Sequence, residues 1–417
     1  MKTKLIFYVF CISNFMVENA LFSQALQWQP TAVIAGGPIN SITISSGNLI
    51  FAASRDSGVL RSSNMGQSWK TVNHDLEWIL GEGVNSILSN SEGALFAGSL
   101  FIYRSTNHGD DWVECSTVPD WFKGFGIDTS GNIFAVSALR VWRSTDAGLS
   151  WASIDSLIPL DTNSLDNYQS ITIDQENHIF VGHNNGVLIS TNEGDTWTNS
   201  RVRFGGGNPI NAIHSSSVGT IFTGGFDGIF RSTDDGLTWV QVSGTIPFYV
   251  TQVQSIISTK SNIILAGTDN GVCYSIDNGS NWLDFGLRSY SIRALAIDSS
   301  GFVYAGTDSG IVFRSTQSVT SVSIKAAYLP GSFALGQNYP NPFNPATVIQ
   351  YSVPVPGFVT LTLFNVVGEK IQILVSENME PGKYNVKFDG GRLPSGIYFY
   401  RLKEGFYVAT RKMVLIK

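Results

Sequence analysis

The pattern Ser-x-Asp/Asn-x-Gly-x-x-Trp recurs six times along this 417-residue chain, and no other feature restricts the fold as strongly. It runs Ser62 to Trp69, Ser105 to Trp112, Ser144 to Trp151, Ser190 to Trp197, Ser232 to Trp239 and Ser275 to Trp282. Successive tryptophans lie 43, 39, 46, 42 and 43 residues apart. A period of this length built from short strands describes an array in which each unit buries its apolar face against the next. In the first repeat, Ile39 to Ile44, Leu49 to Ala53 and Gly58 to Arg61 read as strands leading into the box. A further strand starting near the Trp makes four per repeat, which is one blade of a β-propeller.

Within the box, an Asp or Asn side chain is expected to accept hydrogen bonds from backbone amides two residues on, and the Gly supplies a positive φ. The Trp carries a large apolar surface into the packing between blades. The acidic position reads Asn64, Asn107, Asp146, Asn192, Asp234 and Asp277. Asp and Asn share an acceptor oxygen but not a titrating proton. Their exchange assigns the boxes to structure and not to acid–base catalysis.

A seventh unit begins after Trp282. Arg293 to Asp298, Val303 to Gly306 and Gly310 to Arg314 follow the blade pattern, but the box stops at Ser315-Thr316. Trp28-Gln29-Pro30-Thr31 resembles the segment after a box, and Trp28 precedes Trp69 by 41 residues. The N-terminal strand is therefore expected to complete blade seven and close the ring.

Aligning the blades on Phe51, Phe96, Phe134, Phe180, Phe222, Leu265 and Tyr304 brings one further position into register. Eleven residues earlier lie Asn40, Asn85, Lys123, Gln169, Asn211, Gln254 and Arg293. Five are amides, two are cations and none is a carboxylate. Placed on the innermost strands, they form a ring near one mouth of the channel. Two readings follow: a water-filled funnel whose amides satisfy strand ends, or a site for a neutral or anionic polar ligand.

Other motifs say less. His178 and His183 lie on different strands without metal-ligand spacing, and Gly205-Gly206-Gly207 lacks the Lys-Ser/Thr of a phosphate loop. The connection Ser153 to Tyr168 carries Asp155, Asp161 and Asp166, a solvated loop or else a recognition or cation-binding loop. No metal or cofactor is expected. Cys115 and Cys273 fall in separate blades and read as two buried free thiols, while Cys11 belongs to the leader. Residues 24–332 hold 15 Lys and Arg against 26 Asp and Glu, an acidic balance without a basic stripe that argues against nucleic-acid binding.

At the N-terminus, Lys2 and Lys4 precede an apolar run from Leu5 to Ile12, too short to span a bilayer. Residues 1–23 are read as a signal peptide. The propeller is then 24–316, followed by a linker over 317–332. From Phe333 the character changes. Strands are expected at Thr347 to Val353, Val359 to Asn365, Tyr384 to Phe388, Ile397 to Leu402 and Phe406 to Val414, a small Ig-like β-sandwich over 333–417. The fold class is thus all-β, a seven-bladed propeller followed by a sandwich.

This tail carries Gln337-Asn338-Tyr339-Pro340-Asn341-Pro342-Phe343-Asn344-Pro345, then Leu363-Phe364-Asn365 with Gly368, Ser395 through Leu402, Lys412-Met413-Val414 and Lys417. In these motifs it resembles the type A C-terminal sorting domain of the type IX secretion system. The resemblance implies export across the outer membrane through recognition of 333–417 by the secretion machinery, often with removal of the domain. It also implies a tether to surface lipopolysaccharide as a common fate. The boxes resemble the Asp-box (BNR) repeats of sialidases, xyloglucanases, sortilin-type receptors and Ycf48-like photosystem II assembly factors, a resemblance that implies blade architecture more than activity.

Two functions remain in view. One is an exported, non-enzymatic propeller that binds a protein or glycan at the cell surface. The other is a sialidase- or xyloglucanase-like glycoside hydrolase using loop carboxylates, since such chemistry needs a carboxyl pair.

Overall fold

A computed structural model of the protein describes residues 28–32, 36–76, 83–116, 118–155, 158, 167–184, 186–202, 208–319, 333–353, 357–379, 382–404 and 407–417. The leader, Asp161, Asp166, the Gly205 to Gly207 run and linker positions 320–332 lie outside the described residues.

Residues 28–319 form seven four-stranded antiparallel sheets. Blade one is typical, with Ile39–Ile44 innermost, then Ile50–Ser54, Gly58–Ser62 and Lys70–Thr71 outermost. The second strands read as short apolar runs because they are buried on both faces. All seven alignment landmarks, from Phe51 to Tyr304, are buried on them. Every junction between neighbouring blades holds an apolar cluster, including the one joining blade seven to blade one through Ile39, Ile50, Leu60, Tyr304 and Val312. There the blades approach so closely that a Cβ on Gly306 would stand 2.5 Å from Ile39 Cγ2.

Blade seven is completed from the N-terminus. Its own strands are Ile292–Ile297, Val303–Thr307 and Val312–Ser315. Trp28–Pro30 forms the fourth, with Trp28 opposite Ser315 and Pro30 opposite Phe313. Residues 317–319 also pack on this blade, where Val319 is buried and its amide donates to Gly301 O.

The tail folds as two sheets around one core. Ala334–Leu335, Ala346–Val353 and Gly382–Asp389 make a three-stranded sheet. Lys370–Met379, Gly357–Phe364, Gly396–Glu404 and Tyr407–Leu415 make a four-stranded one, in that spatial order. Lys370–Met379 is absent from the strands expected above. It is an edge strand exposed over most of its length, so it shows no in–out alternation to read.

Candidate functional site

The boxes are turns, with a hydrogen-bond pattern that differs from the expected one. In the first, Ser62 Oγ accepts from the amides of Asn64 (3.4 Å) and Gly66 (2.9 Å) and donates to Asn64 Oδ1 (3.0 Å). Asn64 Oδ1 then accepts from the amide of Ser68 (2.9 Å), four residues on instead of two. The residue before the Gly is left-handed in all six boxes, at Met65, His108, Ala147, Glu193, Asp235 and Asn278.

The interchange of Asp and Asn has a structural cause at the residue four positions later. Asn107 Nδ2 donates to Asp111 Oδ2 (2.8 Å), whereas Asp277 Oδ2 accepts from Asn281 Nδ2 (2.7 Å). The other boxes place a hydroxyl there, which serves either partner: Ser68, Ser150, Thr196 and Thr238. Hydrogen bonds from the Ser150 hydroxyl and amide hold Asp146 down at about 2, and those from Thr238 lower Asp234 likewise.

The box tryptophans staple each blade to the one before. Indole Nε1 donates from Trp112 to Val72 O (2.8 Å), from Trp197 to Ile154 O (3.1 Å) and from Trp282 to Val242 O (2.9 Å). Trp69 reaches Thr31 Oγ1 (3.2 Å) and Trp239 reaches Ser200 Oγ (3.1 Å). Trp28 behaves as the seventh member and donates to Phe285 O on blade six (2.6 Å). Trp151 is the exception. Its buried Nε1 has no partner among the described residues, and the ring packs against Phe125 instead.

The seven polar residues picked out by alignment converge at one end of the channel. All seven, with Gln252, line a cavity of about 260 Å³. A second cavity of about 230 Å³ shares the ring except Asn85 and continues along Ser41, Ser170 and Ser255 and along apolar side chains that include Ile171 and Ile256. The backbone explains this placement. In blades one, three, five, six and seven the pairing of the first two strands skips one residue, and that residue is Asn40, Lys123, Asn211, Gln254 or Arg293. Each is the extra residue of a β-bulge, which re-aims its side chain out of the sheet alternation. Asn85 and Gln169 instead precede their first strands, with amides bonded to Gly98 O (2.8 Å) and Gly182 O (2.9 Å).

The ring divides into two halves. On blades six, seven and one its members are engaged. Gln254 donates to Ser291 Oγ (2.9 Å), Arg293 pairs with Asp308 (2.5 Å) and reaches Asn40 Oδ1 (3.5 Å), and Asn40 Nδ2 donates to Val84 O (3.2 Å). On blades two to five, the side chains of Asn85, Lys123, Gln169 and Asn211 have no hydrogen-bond or ionic partner among the described residues. The Asn211 Nδ2 atom is buried as well as unpaired. No carboxylate belongs to the ring, and the acid that reaches it, Asp308, is taken by Arg293.

The remaining candidates have ordinary surroundings. His178 Nδ1 lies 3.0 Å from Asp174, and the buried His183 meets Asn199 Oδ1 at 3.2 Å. Asp155 is hydrogen-bonded to Ser153. Burial pushes the Cys273 thiol up, but Cys115 is only half-buried, and both cysteines are free. His214, which sequence reasoning passed over, bonds Ser258 Oγ at 2.8 Å, and burial pushes its imidazole down to about 4. Exposed His74, Asp75 and Asp111 also meet, a cluster hidden in the sequence because His74 and Asp111 lie on different blades. Both carboxylates face the same imidazole nitrogen, His74 Nδ1, at 3.1 Å from Asp75 and 2.9 Å from Asp111.

In the tail, the motifs singled out by sequence lock onto one another. The amide of Asn338 donates to Tyr400 OH (2.8 Å), which donates to Gly336 O (2.8 Å). Buried Asn338 Nδ2 bonds Thr347 Oγ1, and Asn341 Oδ1 accepts from the Val414 amide (2.8 Å). Phe343 is buried and pairs through its backbone with Val414 and Ile416. The entry motif, the Tyr400 strand and the C-terminal strand thus form one structural unit.

Residues 337–417 match the family described as the secretion system C-terminal sorting domain. This sorting domain implies interaction with the type IX secretion system and export to the cell surface or the medium. No curated protein matches the chain. Among solved structures, PorZ of Porphyromonas gingivalis, a surface component of the type IX secretion system, is similar over 93% of this chain and 61% of its own, at TM-score 0.51 and 18% identity. YCF48 from Cyanidioschyzon merolae covers 69% of this chain and 98% of its own, at TM-score 0.54 and 12% identity. Virginiamycin B lyase from Staphylococcus aureus covers the same shares, at TM-score 0.57 and 16% identity. The chain spans 45–61% of the length of the longer extracellular proteins it matches. At such identities these likenesses establish the propeller fold alone.

Proposed function

We propose that the sorting domain delivers a binding module whose propeller holds a polar ligand at the mouth of its channel. The observation that carries this reading is the arc of Asn85, Lys123, Gln169 and Asn211. Four half-buried polar side chains converge on one cavity without protein partners there, and one of their atoms, Asn211 Nδ2, is both buried and unpaired, whereas buried polar groups are ordinarily satisfied. A convergent polar set in a concave site is what a ligand supplies partners for. The ring holds no carboxyl pair, and glycoside cleavage requires two carboxyl groups about 5–10 Å apart. Binding is therefore favoured over hydrolysis. Tethering of the delivered chain to surface lipopolysaccharide, implied by the tail, is compatible with this role.

The test is a glycan array and a pull-down with the full chain, followed by a reducing-end assay on every captured glycan. Saturable capture without release is expected. Release abolished by changing one loop carboxylate to its amide would overturn the reading in favour of the hydrolase.

A further inference from the structure

The two halves of the ring differ in charge as well as in hydrogen bonding. Arg293 is neutralised at 2.5 Å by Asp308, so its half offers no net charge to a ligand. Lys123 has no acidic partner among the described residues and projects from its bulge into the same cavity. It is flanked around the mouth by the amides of Asn85 and Gln169, with Asn211 beyond. Each amide offers donors and an acceptor, the pattern that suits hydroxyl groups. Every residue lining this cavity is polar. Apolar side chains such as Ile171 and Ile256 line only the adjoining cavity, so at the mouth itself a sugar, with hydroxyls on most of its surface, meets the polar lining better than an apolar peptide side chain. Exposed aromatic rings at Phe226 and Tyr249 stand in loops on this same face of the propeller.

From these features we infer that the channel mouth is an acidic-saccharide site, in which Lys123 pairs with the carboxylate of a uronic-acid unit and Asn85, Gln169 and Asn211 bond its hydroxyls. The inference rests on reading the ring as a binding site, and it assigns the anion to Lys123 and not to Arg293. The cavity, at about 260 Å³, falls below the roughly 300–1,000 Å³ common for drug-sized ligands, so it accepts one such unit while a longer chain continues into solvent.

Methyl β-D-glucuronide and methyl β-D-glucoside differ only in carboxylate against hydroxymethyl. Titrated into the full chain, the glucuronide should bind about 10- to 100-fold more tightly, as expected for one charge-assisted contact. Lys123→Met keeps the aliphatic stem and should erase that preference. Exposed Lys70→Met, on the outer strand of blade one, should leave it intact. Removing the opposite pair as a neutral unit, Arg293→Met with Asp308→Asn, should cost less than Lys123→Met. Melting curves report whether each variant is folded, and Lys123→Gln provides a second neutral replacement if Lys123→Met is not. Equal binding of the two glycosides, a preference that survives Lys123→Met, or acetate binding as tightly as the glucuronide would overturn the inference. If glycans are still captured on the array in those cases, the binding-module reading stands. Capture of nothing removes both.

Discussion

Trp28 completes a ring that the rest of the chain leaves open, so its truncation tests closure directly. Trp28→Ala removes three things. The bond from Nε1 to Phe285 O is worth about 0.5–1.5 kcal/mol. The edge-to-face contact with the Phe285 ring, at 5.3 Å between centroids, adds about 0.5–1.5 kcal/mol. The rest is apolar burial, reduced because the side chain is only half-buried. A fully buried Trp→Ala costs about 3–5 kcal/mol, so roughly 2–3 kcal/mol is expected here. For a propeller of roughly 290 residues each kcal/mol shifts Tm by about 1.5–2 °C, which gives a loss of about 3–6 °C. Thermal unfolding of the full chain followed by tryptophan fluorescence and calorimetry would measure it. Trp28→Phe, which keeps the ring contact and loses the donor, should fall between the two. A shift under about 1 °C for Trp28→Ala would refute the closing role of this side chain, because it would mean that its contacts with blade six do not hold the fourth strand in place.

Three further outcomes are expected. Asn107→Asp sets two carboxylates against each other in the second box and should cost about 0.5–1.5 kcal/mol, whereas Asn107→Asp with Asp111→Asn restores a donor–acceptor pair and should recover most of it in a denaturant double-mutant cycle. Asp146 is held at about 2, below its unfolded value, so its contribution to stability is complete above about pH 4 and is lost as pH falls toward 2. Asp146→Asn should flatten that acid limb, measured as urea midpoints from pH 7 down to 2.5; an unchanged limb would contradict the assignment. Truncation after Ser332 removes the sorting domain and should leave the propeller in the periplasm of a type IX-competent host, with cell fractionation as the readout.

Much of this fold is legible because each repeat restates the same physics. The Trp period and the broken box at Ser315 place blade seven and its completing strand, since a missing outer strand must be supplied from somewhere. The Asp/Asn exchange marks the boxes as turns, but its cause lies at the fourth residue beyond, where Asp111 and Asn281 complement their partners. That pairing becomes visible only when the turn is closed. The ring positions emerge from counting back from the second strands. The bulges that turn Asn40, Lys123, Asn211, Gln254 and Arg293 into the channel have no composition signature of their own. The division of the ring also escapes sequence reading, because Asp308 reaches Arg293 from the far end of a hairpin, fifteen residues away. In the tail, Lys370–Met379 escapes for the opposite reason: an edge strand exposed over most of its length, with only Leu374, Val375 and Met379 turned to the core, carries little periodic signal.

The central claim is that this exported propeller binds a polar ligand at the channel mouth. Its most direct test is a titration of the strongest array-captured glycan into the full chain and into Lys123→Met with Gln169→Ala. The account predicts affinity lowered at least about tenfold with Tm held within about 2 °C, since both side chains are half-exposed and free of structural partners. Unchanged affinity in the folded double variant would contradict it and move the ligand off the ring.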